Sequence, residues 1–283
     1  MLYLVLAVLG IVAVSLWNFW LTVRPPRLIL SETPRSYRLP AEDVTVITDD
    51  GLKLAAWLIP KAGRSDAAGE PAVILIHGYP AEKADMLSVA AALHPRFTTL
   101  LVDLRYFGAS EGRATTLVFR ERRDLVRAVD MLTRRGATRV GVFGYSLGGA
   151  VGIMAAAEDA RIRAVAAYAP FSDLRVLGRE LYAGLWLFKY PLVELMVLWT
   201  RLFLGADITR PSPAVAATSL AIPILLIHNP DDDQIPFAHA ERFRQALARN
   251  PSAEFVFEGR GRHNDLVTDF GQRLADFFSR SLK

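Results

Sequence analysis

The sequence predicts a three-layer α/β sandwich: a mostly parallel central sheet flanked by helices, with a helical insertion over one sheet edge and an apolar helix ahead of it. Three observations carry this reading. From residue 71 onward, short apolar runs alternate with longer helical stretches, the pattern of repeated βα units. Several of those runs are continuously apolar, as strands buried on both faces of a parallel sheet must be. One interval, 171–220, is too long for a simple connection and has apolar helical content of its own.

Residues 1–23 hold no charged side chain. A helix of that length spans roughly 34 Å, enough for a bilayer core of roughly 30 Å. Trp17 and Trp20 fall near its end, where indole rings favour the headgroup zone, and Arg24-Pro25-Pro26-Arg27 stops it. A cleaved signal peptide would want a basic start and small residues before the cut. Neither is present, so a single-pass anchor is expected. Arg24, Arg27, Arg35 and Arg38 follow the span, which places the folded domain on the cytoplasmic side by the positive-inside rule. Residues 24–42, rich in Pro and Arg, read as a linker, and 43–283 as the folded domain.

Within that domain, 44–48 and 52–60 are apolar runs joined by Asp49-Asp50-Gly51, a hairpin signal because Asp-Gly supplies the positive φ angles of tight turns. Further strands are expected at 72–76, 98–102, 139–143, 164–168, 224–227 and 254–257. Helices are expected at 82–93, 117–135, 147–157, 238–248 and 264–281. The insertion 171–220 is expected to form helices over 181–188 and 192–203. It would cap the sheet's C-terminal edge, where open α/β sheets bind ligands. Lys189, Pro191, Glu194 and Arg201 interrupt it as a second membrane span.

Composition narrows the function. With 283 residues, 52% hydrophobic and 22% charged, the chain suits one large domain and excludes disorder. The absence of cysteine removes disulfides, a thiol nucleophile and thiolate metal sites. The net charge of +4 comes from scattered arginines with no zinc-finger or helix-turn-helix signature, so no nucleic-acid partner is expected. No metal or organic cofactor is expected either.

The sharpest chemical signal is Gly144-Tyr145-Ser146-Leu147-Gly148, followed by Gly149, between a predicted strand and a small-residue helix. This is a nucleophile elbow in its required context. The turn lifts the Ser146 hydroxyl above the sheet beside a helix N-terminus that favours negative charge. A serine hydroxyl is a weak nucleophile and needs a base and an orienting acid, in the order Ser, acid, His. His77 and His94 precede the serine; His228 ends a strand and His239 begins a helix. His263, in a glycine-bearing loop after the last strand, is the expected base. The acid is expected in Asp231-Asp232-Asp233 after strand 224–227, with Asp173 as an outside rival; residue types alone leave that choice open. The oxyanion donors are expected to be the backbone N–H groups of Leu147 and of Tyr79, in His77-Gly78-Tyr79-Pro80; Pro80 has none to give. His77 is expected to be structural. Tyr145 beside the nucleophile, and Leu181, Trp186 and Phe188 of the insertion, are the expected substrate contacts, although the apolar residues of the insertion equally suit simple burial.

These motifs, with Asp103-Leu104-Arg105-Tyr106-Phe107-Gly108-Ala109-Ser110 and Asp232-Asp233-Gln234-Ile235-Pro236, make the chain from about residue 40 resemble the α/β-hydrolase superfamily. It looks most like membrane-anchored bacterial serine hydrolases near the dienelactone-hydrolase-like and acylpeptidase-like esterases. The resemblance implies an α/β-hydrolase fold. It also implies Asp232 as the acid, four residues after the strand-end His and four before the Pro. Two positions depart from the family pattern: Tyr106 and Asn229 stand where glycine is usual. Asn tolerates the left-handed geometry that such a glycine would serve. The expected activity is cleavage of carboxylic ester or thioester bonds (EC 3.1.1) of a small-molecule substrate with an apolar acyl part. A peptidase, an acyltransferase using the same triad, and a non-catalytic membrane-tethered scaffold are the alternatives.

Overall fold

The uninterrupted apolar runs become the middle of the sheet. In the computed structural model, which describes residues 1–258 and 261–283, eight strands form one sheet: β1 (Glu42–Ile47), β2 (Lys53–Ile59), β3 (Ala72–Ile76), β4 (Thr98–Val102), β5 (Val140–Tyr145), β6 (Ile162–Tyr168), β7 (Ile224–Ile227) and β8 (Ala253–Val256). Their order is β1-β2-β4-β3-β5-β6-β7-β8. The β1–β2 hairpin and the β2–β4 pair are antiparallel, and every later pair is parallel. Every residue of β3, β4 and β7 is buried, as strands sandwiched between helical layers should be.

Helices cover both faces. α1 is Leu2–Val23, α2 Leu87–Leu93, α3 Glu121–Arg134, α4 Leu147–Glu158, α5 Leu174–Leu181, α6 Lys189–Leu204, α7 Pro213–Ala217, α8 Ala238–Ala246 and α9 Phe270–Ser281. One face buries Leu87, Ala90 and Leu93 of α2 with Leu274, Phe277 and Phe278 of α9. The other buries Leu125 and Val129 of α3, Ala150 and Ile153 of α4, and Ala240 and Phe243 of α8. The fold is the expected α/β-hydrolase sandwich.

α2 begins at Leu87 rather than 82, after a 3₁₀ turn at Lys83–Met86, and further helix boundaries differ from expectation for local reasons. α3 begins at Glu121 rather than 117 because Leu117 has φ +61°. Just ahead of it the Glu121 carboxylate accepts from Thr115 Oγ1, Thr116 Oγ1 and the Thr116 amide at 2.6–2.7 Å. α9 begins at Phe270, after Asp269 at φ +57°. Residues 181–188 do not form one helix: α5 ends at Leu181, and Ala183–Phe188 is a 3₁₀ turn broken at Trp186, φ +48°. The insertion then continues through α6 and α7.

α1 is apolar and long enough, over Val5–Val23, to be a candidate membrane span. It does not stand clear of the domain. Ser15, Phe19 and Val23, four residues apart and so on one helix face, are buried. Phe19 stacks on Phe203 of α6, and Trp199 of α6 donates to Ser15 Oγ at 3.0 Å. The segment after α1, expected as a linker, runs along the domain as a strap. Arg27 donates to the carbonyls of Ser110 and Gly112, Tyr106 donates to Pro25 O, and the Leu30 amide donates to the Glu82 carboxylate.

Candidate active site

The site is built at the C-terminal ends of β3, β5 and β7. Ser146 sits between β5 and α4 at φ +50°, ψ −112°, a conformation that costs a non-glycine residue roughly 1–3 kcal/mol and persists only where the surroundings enforce it. They do so by backbone contact. A Cβ on Gly144 would lie 2.1 Å from Gly148 O, and one on Gly148 would lie 2.4 Å from Ile76 O in β3. The two glycines let β5, the first turn of α4 and the end of β3 close on one another. The Ser146 amide donates to Tyr168 O on β6 at 2.8 Å, completing the elbow.

His263 and Asp232 meet although 31 residues apart: Nδ1 lies 2.7 Å from Asp232 Oδ2. A carboxylate only accepts, so Nδ1 carries the hydrogen and Nε2 keeps its lone pair. Asp232 Oδ1 accepts from the amides of Gln234 and Ile235 at 2.9 and 2.8 Å. Burial alone would raise this carboxyl; the bonds from His263, Ile235 and Gln234 outweigh it and hold the group below the ordinary carboxylate value. Ser146, Asp232 and His263 are 8%, 9% and 4% exposed. Among the described contacts Ser146 Oγ and His263 Nε2 do not bond to each other, as is common before substrate binds.

The three adjacent aspartates divide their work. Asp232 holds the imidazole, Asp233 accepts from the His263 amide at 3.2 Å, and Asp231 is exposed. Asp173, the outside rival, caps α5 by accepting from the Arg175 and Val176 amides. Asn229 does not use the left-handed geometry that asparagine tolerates. It is absent from the positive-φ residues, and its side-chain amide donates to Arg262 O and Asp265 O at 3.1 and 2.6 Å, tying the acid loop to the His263 loop. Tyr106, the other departure, does have φ +75°. Gly259 of the His263 loop lies outside the described residues.

On the other side of Ser146 stands the β3 loop. A Cβ on Gly78 would lie 3.4 Å from that of Ser146. Among the described residues, neither the Tyr79 nor the Leu147 amide donates to a protein acceptor. His77 is fully buried. Its Nε2 accepts from the Leu104 amide at 3.0 Å, so Nδ1 carries the hydrogen and donates to Gly78 O at 2.7 Å. Burial keeps the imidazole neutral by depressing its pKa. His77 is therefore a brace for this loop. A second brace escaped the sequence reading: Lys83 Nζ and its amide each lie 2.6 Å from the buried Asp103 carboxylate. The Asp103 motif position was visible, but nothing in the sequence paired it with Lys83. Tyr79 reaches the other way. Burial pushes its phenol up to about 12, and it donates to Thr22 O at the end of α1.

A cavity of about 440 Å³ opens beside His263, lined by Gly78, Tyr79, Met86, Tyr145, Gln234 and, from the strap, Leu28 and Leu30. Tyr145 thus borders it, but its hydroxyl is taken up by His263 O and Asn264 Oδ1, so it positions the His263 loop as well. Leu181 lines a separate apolar cavity of about 110 Å³ between α1 and the insertion. Trp186 and Phe188 line neither and are 73% and 62% exposed. Among the described residues no cluster of three or more His, Asp or Glu side chains is arranged to hold a metal.

A family model described as alpha/beta hydrolase fold matches residues 71–191. An uncharacterized Mycobacterium tuberculosis protein, Rv2307c, is 30% identical over 249 residues, covering 86% of this chain and 80% of its own. The chain belongs to the α/β-hydrolase superfamily. An esterase of Pyrococcus furiosus has a structure similar to this α/β hydrolase, with a TM-score of 0.74 and 26% identity over 93% of this chain and 99% of that one. The polyketide transferase ATR5 of Stachybotrys chlorohalonatus is 35% identical over 139 residues, 47% of this chain and 45% of that protein; the match spans less than half of the transferase. The chemistry of these relatives points to a hydrolase or acyltransferase.

Proposed function

We propose that this α/β hydrolase is a serine esterase, attached to a membrane by α1, that cleaves carboxylic ester or thioester bonds of small molecules through an acyl-enzyme on Ser146. The observation that carries the proposal is the 2.7 Å bond between His263 Nδ1 and Asp232, which leaves Nε2 as the free base, at the sheet edge that holds the strained Ser146 elbow.

In the proposed reaction Ser146 Oγ attacks the acyl carbon while its proton passes to His263 Nε2. The imidazolium that forms is stabilised by Asp232, which stays ionised. The carbonyl oxygen becomes an oxyanion and accepts from the Leu147 and Tyr79 amides, each such donor being worth roughly 10²–10³ in rate. His263 then gives the proton to the leaving oxygen or sulfur, and the acyl-enzyme remains. Water enters and loses a proton to Nε2, and its attack frees Ser146 and the carboxylic acid. The 440 Å³ cavity, walled by Leu28, Leu30, Met86 and Tyr145, suits an apolar portion of the substrate. The exposed positions of Trp186 and Phe188 turn the acyl pocket away from them and toward that cavity.

Acyl transfer to an acceptor other than water is the second reading, favoured by the similarity to a polyketide transferase. One experiment tests both: turnover of p-nitrophenyl esters of graded acyl length with added primary alcohol. Hydrolysis rising with acyl length and absent in Ser146→Ala is expected. Product found almost wholly as the alcohol's ester at modest alcohol concentration favours the transferase. No turnover of any ester counts against both.

A further inference from the structure

The tip of the insertion is apolar where a soluble protein would be polar. Leu181, Leu185, Trp186, Leu187, Phe188 and Tyr190 are each between 45% and 73% exposed. The ten residues 181–190 carry a single charge, Lys189. An unbroken amphipathic helix would turn one apolar face inward. Trp186, at φ +48°, breaks the repeat, and the apolar side chains on both sides of it face outward. Contiguous exposed patches of this kind mark a surface that something covers.

The position of α1 indicates what covers it. α1 and α6 lie side by side and run in the same direction. Trp199 donates to Ser15 at 3.0 Å, and one turn later in both helices Phe203 stacks on Phe19 with ring centroids 5.8 Å apart. The 183–188 turn leads into α6, and Leu2, Tyr3, Val5, Leu6, Val8 and Leu9, all exposed, open α1. Both apolar projections therefore leave the domain at the same end of the helix pair. Whatever covers the tip also meets the uncharged start of α1. A bilayer satisfies both at once. Lys189 stands 5.4 Å from the Tyr190 ring at the rim, where basic side chains reach lipid phosphates; Arg179, 5.3 Å from the same ring, is paired with Glu194 at 2.7 Å.

We infer that the turn at residues 185–190 is a second membrane-contacting element, beside the start of α1. The inference rests on the membrane attachment by α1 proposed above and goes beyond it. One helix would leave the domain free to swing; two contacts fix its face to the lipid.

The chain has no cysteine, so single-cysteine variants of the full-length protein report one position each. Leu6→Cys, Trp186→Cys, Phe188→Cys and Ser252→Cys are labelled with a nitrobenzoxadiazole fluorophore. They are reconstituted in phosphatidylcholine vesicles with a minority of phosphatidylglycerol, containing lipids spin-labelled at shallow or deep acyl positions. Ser252 is exposed just before β8, at the sheet end opposite the site. Probes at 6, 186 and 188 should be quenched to similar depth, because the start of α6 is level with the start of α1, and that at 252 by neither label. Quenching at 6 with probes at 186 and 188 behaving like 252 overturns the inference and leaves the anchor standing. No quenching at 6 removes the anchor and the inference together.

Discussion

The end of the sheet and the layer outside it are held by different physics. At the sheet end, position is set by backbone against backbone: Gly148 touches the β3 carbonyls, the Ser146 amide bonds to β6, and the buried His77 joins the β3 and β4 loops. In the outer layer, α1, the strap and the insertion meet through side-chain tips and ring faces, such as Trp199 on Ser15, Tyr182 on Asn18 and Phe203 on Phe19. The first arrangement cannot shift by a fraction of an ångström without clash. The second makes no close main-chain contact with the elbow, and Tyr79 links it to the β3 loop through Thr22. Chemistry that needs reacting atoms fixed is placed in the rigid region, and contact with a variable surface is left to the compliant one.

The largest effect should come from the rigid region. Ser146→Ala should lower kcat by at least about 10⁴-fold with the fold intact, because activity is carried by groups that act as a unit. Asp232→Asn should lose about 10⁴-fold by releasing the imidazole to the wrong tautomer; steady-state kinetics on a chromogenic ester measures both. Gly148→Ala should destabilise by about 3 kcal/mol or leave the protein insoluble, since the clash is with main chain. Urea unfolding reads this, and a variant as stable as the parent contradicts the account of the elbow.

A smaller, graded effect belongs to buried histidines. Burial is the main cause holding His77, His228 and His239 below the ordinary imidazole pKa. A group whose folded pKa is depressed takes up protons in the unfolded chain first. Its contribution to stability is therefore full above about pH 6.5 and is lost as pH falls below it. Unfolding free energy should decline between pH 7 and 5 by up to about 1.4 kcal/mol per pH unit for each histidine. In His239→Gln that slope should flatten; an unchanged slope would show that His239 binds protons equally in both states. The smallest effect tests the outer layer. Trp199→Phe removes one hydrogen bond to α1 and should cost about 1 kcal/mol or less, with kcat on a soluble ester unchanged. A large loss of kcat would mean that the two regions are not separable.

The same contrast explains what could be read in advance. β3 and β7 were visible as apolar runs, and β4 as two β-branched threonines leading into Leu100-Leu101-Val102. The elbow was visible because only glycine fits at 144 and 148. The choice among Asp231, Asp232 and Asp233 was not visible from residue chemistry: adjacent aspartates differ only in where the loop turns them, and resemblance selected Asp232. The docking of α1 was missed although Ser15, Phe19 and Val23 stand four residues apart, because apolar residues occupy every face of the helix and hide that stripe. The break at Trp186 had no signal at all, since a bulky residue rarely adopts positive φ.

The account depends on Ser146 being the activated nucleophile. Reaction of the full-length protein with a fluorophosphonate probe, followed by peptide mass mapping, tests this most directly. The predicted result is one phosphonyl adduct, on Ser146, formed far more slowly in His263→Ala. An adduct on another residue, or none in folded protein, would contradict it.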